Sequence, residues 1–197
     1  MMESIEWLTD VAAAHTQSVM ERKPLFLFFC SPGCYFCQIV ESDSYNREEV
    51  INLFRKGILA VRVSPAERNW FKNYNVKFTP TCLLVNPEGN EEERTTGFLE
   101  EKGLMAFLLL GLSKSYYDMG LLEEGRECVE ILTRDYPESA QAPEAFFLRG
   151  IFRYHADQNR DHFKEAFEIL NDRYQDSIWM KRARLLYMYP CALFRWQ

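Results

Sequence analysis

Cys34-Tyr35-Phe36-Cys37 follows the apolar run from Pro24 to Cys30 after a turn, Ser31-Pro32-Gly33. A buried strand that turns into a helix opening on cysteine sets one sulfur at a helix N-terminus. Unpaired backbone N–H groups and the positive dipole end favour the thiolate there. The second cysteine falls one turn further in, within reach of a small disulfide ring. The chemistry such a pair performs is thiol–disulfide exchange: the Cys34 thiolate attacks a substrate disulfide, Cys37 resolves the mixed disulfide, and Cys34–Cys37 is left oxidised. Helical spacing also sets Cys34, Gln38 and Glu41 on one face, so Glu41 is either a proton relay for the resolving thiol or a surface glutamate.

Other chemistry is open to these cysteines. Cys30, Cys34, Cys37 and Cys82 could converge on zinc or an iron–sulfur cluster, but their spacing matches no standard cluster signature. Cys30, Cys82, Cys128 and Cys191 read more simply as small buried hydrophobes. His15, His155 and His162 do not cluster in the sequence. Neither a metal nor a cofactor is expected.

The elements that must position the pair are legible from periodicity. Ile5, Leu8, Val11, Ala12, His15 and Val19 recur at helical spacing and predict a helix over 4–21. Pro24 marks the entry to a strand over 25–30, and a helix follows from Cys34. Asn46 begins another helix, Ile58 to Val63 reads as a second strand, and Asn69 to Tyr74 as a short helix. Pro80 heads the apolar strand Thr81 to Val85; lacking an N–H, it belongs at a strand start or a bulge. Asn86 to Asn90 is a turn answered by a strand over Glu93 to Thr96, closed by Gly97. The whole describes an α/β sheet with helices on both faces.

From about residue 101 the pattern is helical only. Ile131-Leu132 and Tyr136-Pro137-Glu138-Ser139 return 38 residues later as Ile169-Leu170 and Tyr174-Gln175-Asp176-Ser177. Self-similarity at this period, built from helix pairs, signals a helical repeat.

Composition agrees with a folded protein of ordinary make-up: 197 residues, 47% hydrophobic, 26% charged. A net charge of −6 argues against a general nucleic-acid footprint, and the cluster Lys181-Arg182-Ala183-Arg184 reads as a solvated helix face. No apolar stretch is long enough to span a bilayer. Glu3, Glu6 and Asp10 interrupt the N-terminus, which does not read as a signal peptide. Six cysteines without an export signal point to a reducing compartment, so a cytoplasmic location is expected.

Residues 1 to about 113 resemble a thioredoxin-fold protein. The Cys34-x-x-Cys37 pair after a buried strand matches, as does the loop Thr79-Pro80-Thr81, with Pro80 46 residues after Cys34. Trp7, Lys23-Pro24, and Cys37 through Glu41, Tyr45, Glu49 and Val50 are similar to the branch of that superfamily in which C-x-x-C is followed by M-E, F and E-V. The resemblance implies that Pro80 is cis and faces the active-site sulfur. It also implies a substrate groove of Tyr35, Phe36, Thr79 and Pro80, in which Thr79 offers backbone hydrogen bonds to an extended peptide. Three positions depart from thioredoxins: Gly33 stands where tryptophan is usual, Phe28 where an aspartate lies buried, and Ala60 where a lysine follows. The remainder resembles tetratricopeptide repeats, with Leu109, Leu112, Tyr116, Gly120, Gly125 and Pro137 at suitable spacings, although residue 125 of such repeats is usually alanine.

The expectation is therefore an α/β thioredoxin fold over 1–112 followed by an all-α, tetratricopeptide-like module over 113–197. The expected function is a thiol–disulfide oxidoreductase acting on protein disulfides, whose helical module docks a protein partner or substrate. The rival readings are a non-enzymatic, chaperone-like scaffold and a cysteine-based metal-binding protein. Residues 101–120 and the tail from Met188 to Phe194 are expected to cap the module or pack on the first domain.

Overall fold

The computed structural model describes residues 4–189. The expected capping tail from Pro190 onward, with Cys191, lies outside the described residues.

A five-stranded mixed sheet organises the first half in the order β1-β3-β2-β4-β5. Strand β2 (Leu25–Phe29) is central, parallel to β3 (Leu59–Val63) and antiparallel to β4 (Thr81–Val85), and β5 (Glu91–Thr96) closes one edge. All five residues of β2 are buried because the sheet is covered on both faces. Alternation then sorts them. Leu25, Leu27 and Phe29 join Val61, Val63, Leu83 and Val85 under helices α1 (Val11–Glu21) and α4 (Arg68–Asn73). Phe26 and Phe28 point the other way, into a core shared with α2 (Tyr35–Asp43), α3 (Glu48–Gly57) and α5 (Glu101–Asp118).

The N-terminal helix is shorter than its periodicity predicts. Asp10 accepts the Ala13 N–H at 3.0 Å and caps α1, so the helix starts at Val11. Trp7 and Leu8 instead form β1, parallel to β3 with Trp7 opposite Ala60. Ile5 and Leu8 are apolar for the sheet rather than for a helix stripe. The Trp7 ring lies 5.8 Å from Phe28 and 5.3 Å from Tyr45.

Among the described residues, five helices follow the sheet: α5, α6 (Leu122–Asp135), α7 (Ala142–Asp157), α8 (Asp161–Arg173) and α9 (Ile178–Met188). Each packs on its sequence neighbour, and α5 also covers β4 and β5. The expected boundary at residue 112 falls inside α5, whose Gly111 lets the helix lie close on the sheet: an added Cβ would meet Leu84 at 2.9 Å. Two positions 38 residues apart end their helices alike. Tyr136 ends α6 at φ −126°, ψ 43°, Tyr174 ends α8 at φ −138°, ψ 47°, and the Tyr174 hydroxyl donates to the Pro137 carbonyl. No helix among the described residues is long and apolar enough to cross a membrane.

Candidate active site

Cys34 is the N-cap of α2, in extended backbone geometry (φ −70°, ψ 108°) that leaves its side chain free to turn back over the first turn. Its sulfur accepts the Cys37 N–H at 3.3 Å, taking one of the donors that a helix start leaves unpaired. On its other side the sulfur lies 3.8 Å from the Thr79 carbonyl. The Thr79–Pro80 peptide is cis. Ser31 and Thr79 hydroxyls meet at 3.2 Å, tying the turn before Cys34 to the proline loop.

The two thiols are driven apart electrostatically. Burial by itself would raise Cys34, but hydrogen bonds from the Cys37 thiol and N–H, the Thr79 side chain and the Phe36 N–H outweigh it, so its pKa lies below the ordinary thiol value. Cys37 is buried and pushed up to about 12, first by desolvation and then by its bond to the Cys34 sulfur. The pair therefore consists of one accessible sulfur ready to ionise and one protected sulfur that stays protonated.

Of the four residues assigned to the groove, Tyr35 and Phe36 stand exposed at 68% and 58%, their rings 5.8 Å apart edge to face. Thr79 is half-buried and Pro80 is buried. Two further aromatics were not legible as surface residues. Phe78, immediately before the cis peptide, is 72% exposed, and Phe98, after Gly97, is 46% exposed. Their only sequence signal is adjacency to the proline loop and to the glycine that closes β5. Gly97 adopts φ +95°, and its N–H donates to the Pro80 carbonyl at 2.8 Å.

Glu41 lies two turns along α2, paired with Arg62 at 3.1 Å. The Arg62 guanidinium stacks over Trp7 at 4.8 Å, and its Nε is buried with no hydrogen-bond partner. These side chains, with Gln38 and Tyr45, line an open cleft of about 490 Å³. Phe28 and Ala60 are fully enclosed apolar positions, so no buried carboxylate or lysine lies in those strands beneath the pair.

Cys30, Cys34, Cys37, Cys82 and Cys128 are free thiols. Cys82 is buried against the Tyr45 hydroxyl at 3.4 Å and raised to about 12 by desolvation, while Cys30 is half-buried and likewise raised. Both behave as core groups. Among the described residues no three His, Cys, Asp or Glu side chains gather in a way that could hold a metal ion.

The sequence profile of the thioredoxin-like domain matches residues 12–110, half of the chain. The chain belongs to the thioredoxin-like domain family. A search of curated proteins returns no match. Among solved structures, this thioredoxin-like chain is similar to a thioredoxin from Thermus thermophilus, at 18% identity over 68% of this chain and 95% of that one, with a TM-score of 0.46. It is also similar to the C-terminal domain of Neisseria meningitidis DsbD in the reduced form, at 21% identity over 52% and 96%, TM-score 0.45. A third is a DsbH oxidoreductase, at 19% identity over 47% and 73%, TM-score 0.44.

Proposed function

We propose that this protein is a thiol–disulfide oxidoreductase of thioredoxin type that acts on protein disulfides. One observation carries the reading: the Cys34 sulfur caps α2, accepts the Cys37 N–H, and has its pKa lowered while Cys37 is raised to about 12. In the proposed cycle Cys34 attacks as the thiolate and takes one sulfur of the substrate disulfide; the other leaves as a thiolate. Cys37 then gives up its proton and attacks Cys34, which releases the second substrate thiol and forms the Cys34–Cys37 disulfide. Two electrons pass from the dithiol to the substrate. Tyr35, Phe36, Thr79 and Pro80 form the groove, with the backbone of Thr79 as partner for an extended substrate segment. With Phe28 in the strand beneath, the Cys37 proton needs another acceptor, and Glu41 is assigned that role, oriented by Arg62 across their cleft.

The helical half, residues 113–197, is assigned the docking of a protein partner or substrate, on the model of tetratricopeptide helix pairs; the matching turns after α6 and α8 support a repeat. Residues 1–112 carry the redox work. A reducing, cytoplasmic setting would keep the pair as dithiol.

Insulin reduction by dithiothreitol tests the activity. The wild-type protein shortens the lag before the insulin B chain precipitates, and Cys34→Ser returns it to the value for dithiothreitol alone. Equal lags for the two proteins overturn the reading and favour a scaffold.

A further inference from the structure

Cys30 is a thiol beside the pair that the proposed cycle leaves unused, and the sheet fixes its place. Its N–H donates to the Val63 carbonyl at 3.2 Å, which carries the β2–β3 ladder one residue past Phe29. Alternation then turns the Cys30 side chain to the face of Phe26 and Phe28, the face that α2 covers. Cys82, opposite Phe28 in the register, lies on that face too, and Cys37 is the buried residue of the first turn of α2. Four sulfurs thus gather on one side of the sheet, with Cys30 and Cys34 packed against the core that holds Cys37 and Cys82.

The backbone between them brings Cys30 and Cys37 together. The Cys34 N–H donates to the Ser31 carbonyl at 3.1 Å, a turn that starts α2 back over the end of β2. Besides its bond to the Cys34 sulfur, the Cys37 sulfur draws the Ser31 N–H, and that peptide begins at Cys30. The charges couple accordingly: Cys30 feels Cys34, and Cys37 feels Cys30. Cys82 is a poorer partner, because it is buried with its sulfur against the Tyr45 hydroxyl at 3.4 Å.

Resting on the redox reading above, we propose that Cys30 is a third redox thiol, which attacks Cys37 in the Cys34–Cys37 disulfide and forms Cys30–Cys37. The Cys30 proton goes to water, the Cys34–Cys37 bond breaks, and Cys34 leaves as the thiolate; no electrons enter or leave the protein. The direction follows from the two sulfurs that compete for Cys37. Burial and the charge of Glu41 hold Cys30 above the ordinary thiol value, whereas Cys34 lies below it. A disulfide on Cys34 ties up the sulfur that the helix start stabilises as thiolate, and moving the bond to Cys30 releases it. In the dithiol state Cys30 stays packed as a core group. In the rearranged oxidised state the nucleophile is free and the resolving sulfur is occupied. Cys34 can then attack a client disulfide, but only the client's own second thiol can release it. The switch turns the site from reducing client disulfides to reshuffling them.

The test follows the disulfide in the full chain. Cys34→Ser is oxidised with diamide, its free thiols are blocked, and cleavage after Tyr35 and Phe36 separates Cys37 from Cys30. A linked Cys30–Cys37 peptide should be the main disulfide product. Oxidised, desalted wild type is then pulsed with iodoacetamide. Its Cys34 should be alkylated at least about tenfold faster than Cys34 of oxidised Cys30→Ala, in molecules that hold Cys30–Cys37. Cys82→Ala, which thins the same core, should alkylate at the wild-type rate. A main product that links Cys82, no linked peptide at all, or equal rates in wild type and Cys30→Ala overturns the third thiol. If Cys30→Ala forms no Cys34–Cys37 disulfide under diamide, the redox reading itself fails and takes the third thiol with it.

Discussion

The Cys37 N–H points at the Cys34 sulfur from 3.3 Å, so the residue proposed to resolve the exchange also helps to ionise the proposed nucleophile. Its own thiol does the same and is held protonated in return. The polarity of the pair follows from which sulfur caps the helix and which is buried inside its first turn.

This asymmetry should appear in alkylation. In the wild type, the rate of Cys34 modification by iodoacetamide should rise with pH to a midpoint below that of a free thiol, and Cys37 should stay unmodified through neutral pH. Cys37→Ala keeps the N–H but removes the thiol donor, so the Cys34 midpoint should move up. Mass-resolved alkylation across pH checks both, and an unchanged midpoint would mean the Cys37 thiol contributes nothing.

Resolution should be separable from attack. Cys37→Ser retains the Cys34 nucleophile but has no second sulfur, so it should trap a stable mixed disulfide with a client and lose multiple turnover by about a thousandfold or more. Non-reducing electrophoresis reveals the adduct, which dithiothreitol should dissolve.

A second ionisable cluster lies at the opposite end of the sheet. Burial, followed by the charge of Asp118, raises Glu92 to about 7, and the buried Asn86 amide bridges the two carboxylates at 2.7 and 3.2 Å. Lys114, whose charge opposes the rise, is itself engaged by Glu93 and Glu144. Between the ordinary glutamate value of 4.5 and about 7, the folded protein holds a proton that the unfolded chain has released. Stability should therefore fall as pH rises through that window. Glu92→Gln should flatten the dependence and be more stable above pH 7 by about 1–2 kcal/mol, as urea midpoints at pH 5 and pH 8 would show.

Gly125 is a packing choice. A Cβ there would sit 2.6 Å from the Phe152 ring and 3.1 Å from the Ser113 carbonyl. Gly125→Ala should cost about 1–3 kcal/mol despite the better helix propensity of alanine. Adding Phe152→Leu should recover part of the loss, and chemical denaturation of the single and double variants measures the coupling.

The sequence made some of this readable and hid the rest for definable reasons. Cys34, Cys37, Thr79 and Pro80 are carried by short-range patterns, a strand into a turn into a helix and a proline at a strand start, and local rules suffice for those. The expected helix over 4–21 failed at its start because Ile5 and Leu8 fit a helical stripe and a sheet edge equally well. Only the Asp10 cap decides between them. Phe78 and Phe98 were missed because an aromatic residue is ordinarily core, and exposure depends on which loops meet in space. Gly125 looked like a departure from a repeat until Phe152, far along the chain, filled the space of its missing methyl.

Helix α5 has a consequence for the molecule's mechanics. It lies on β4 and β5, crosses residue 112 without a break, and continues against α6 and α7. A single stiff rod therefore belongs to both halves, and neither can melt or slide without disturbing the other's support. Any force applied to the helical half is felt at the edge of the sheet.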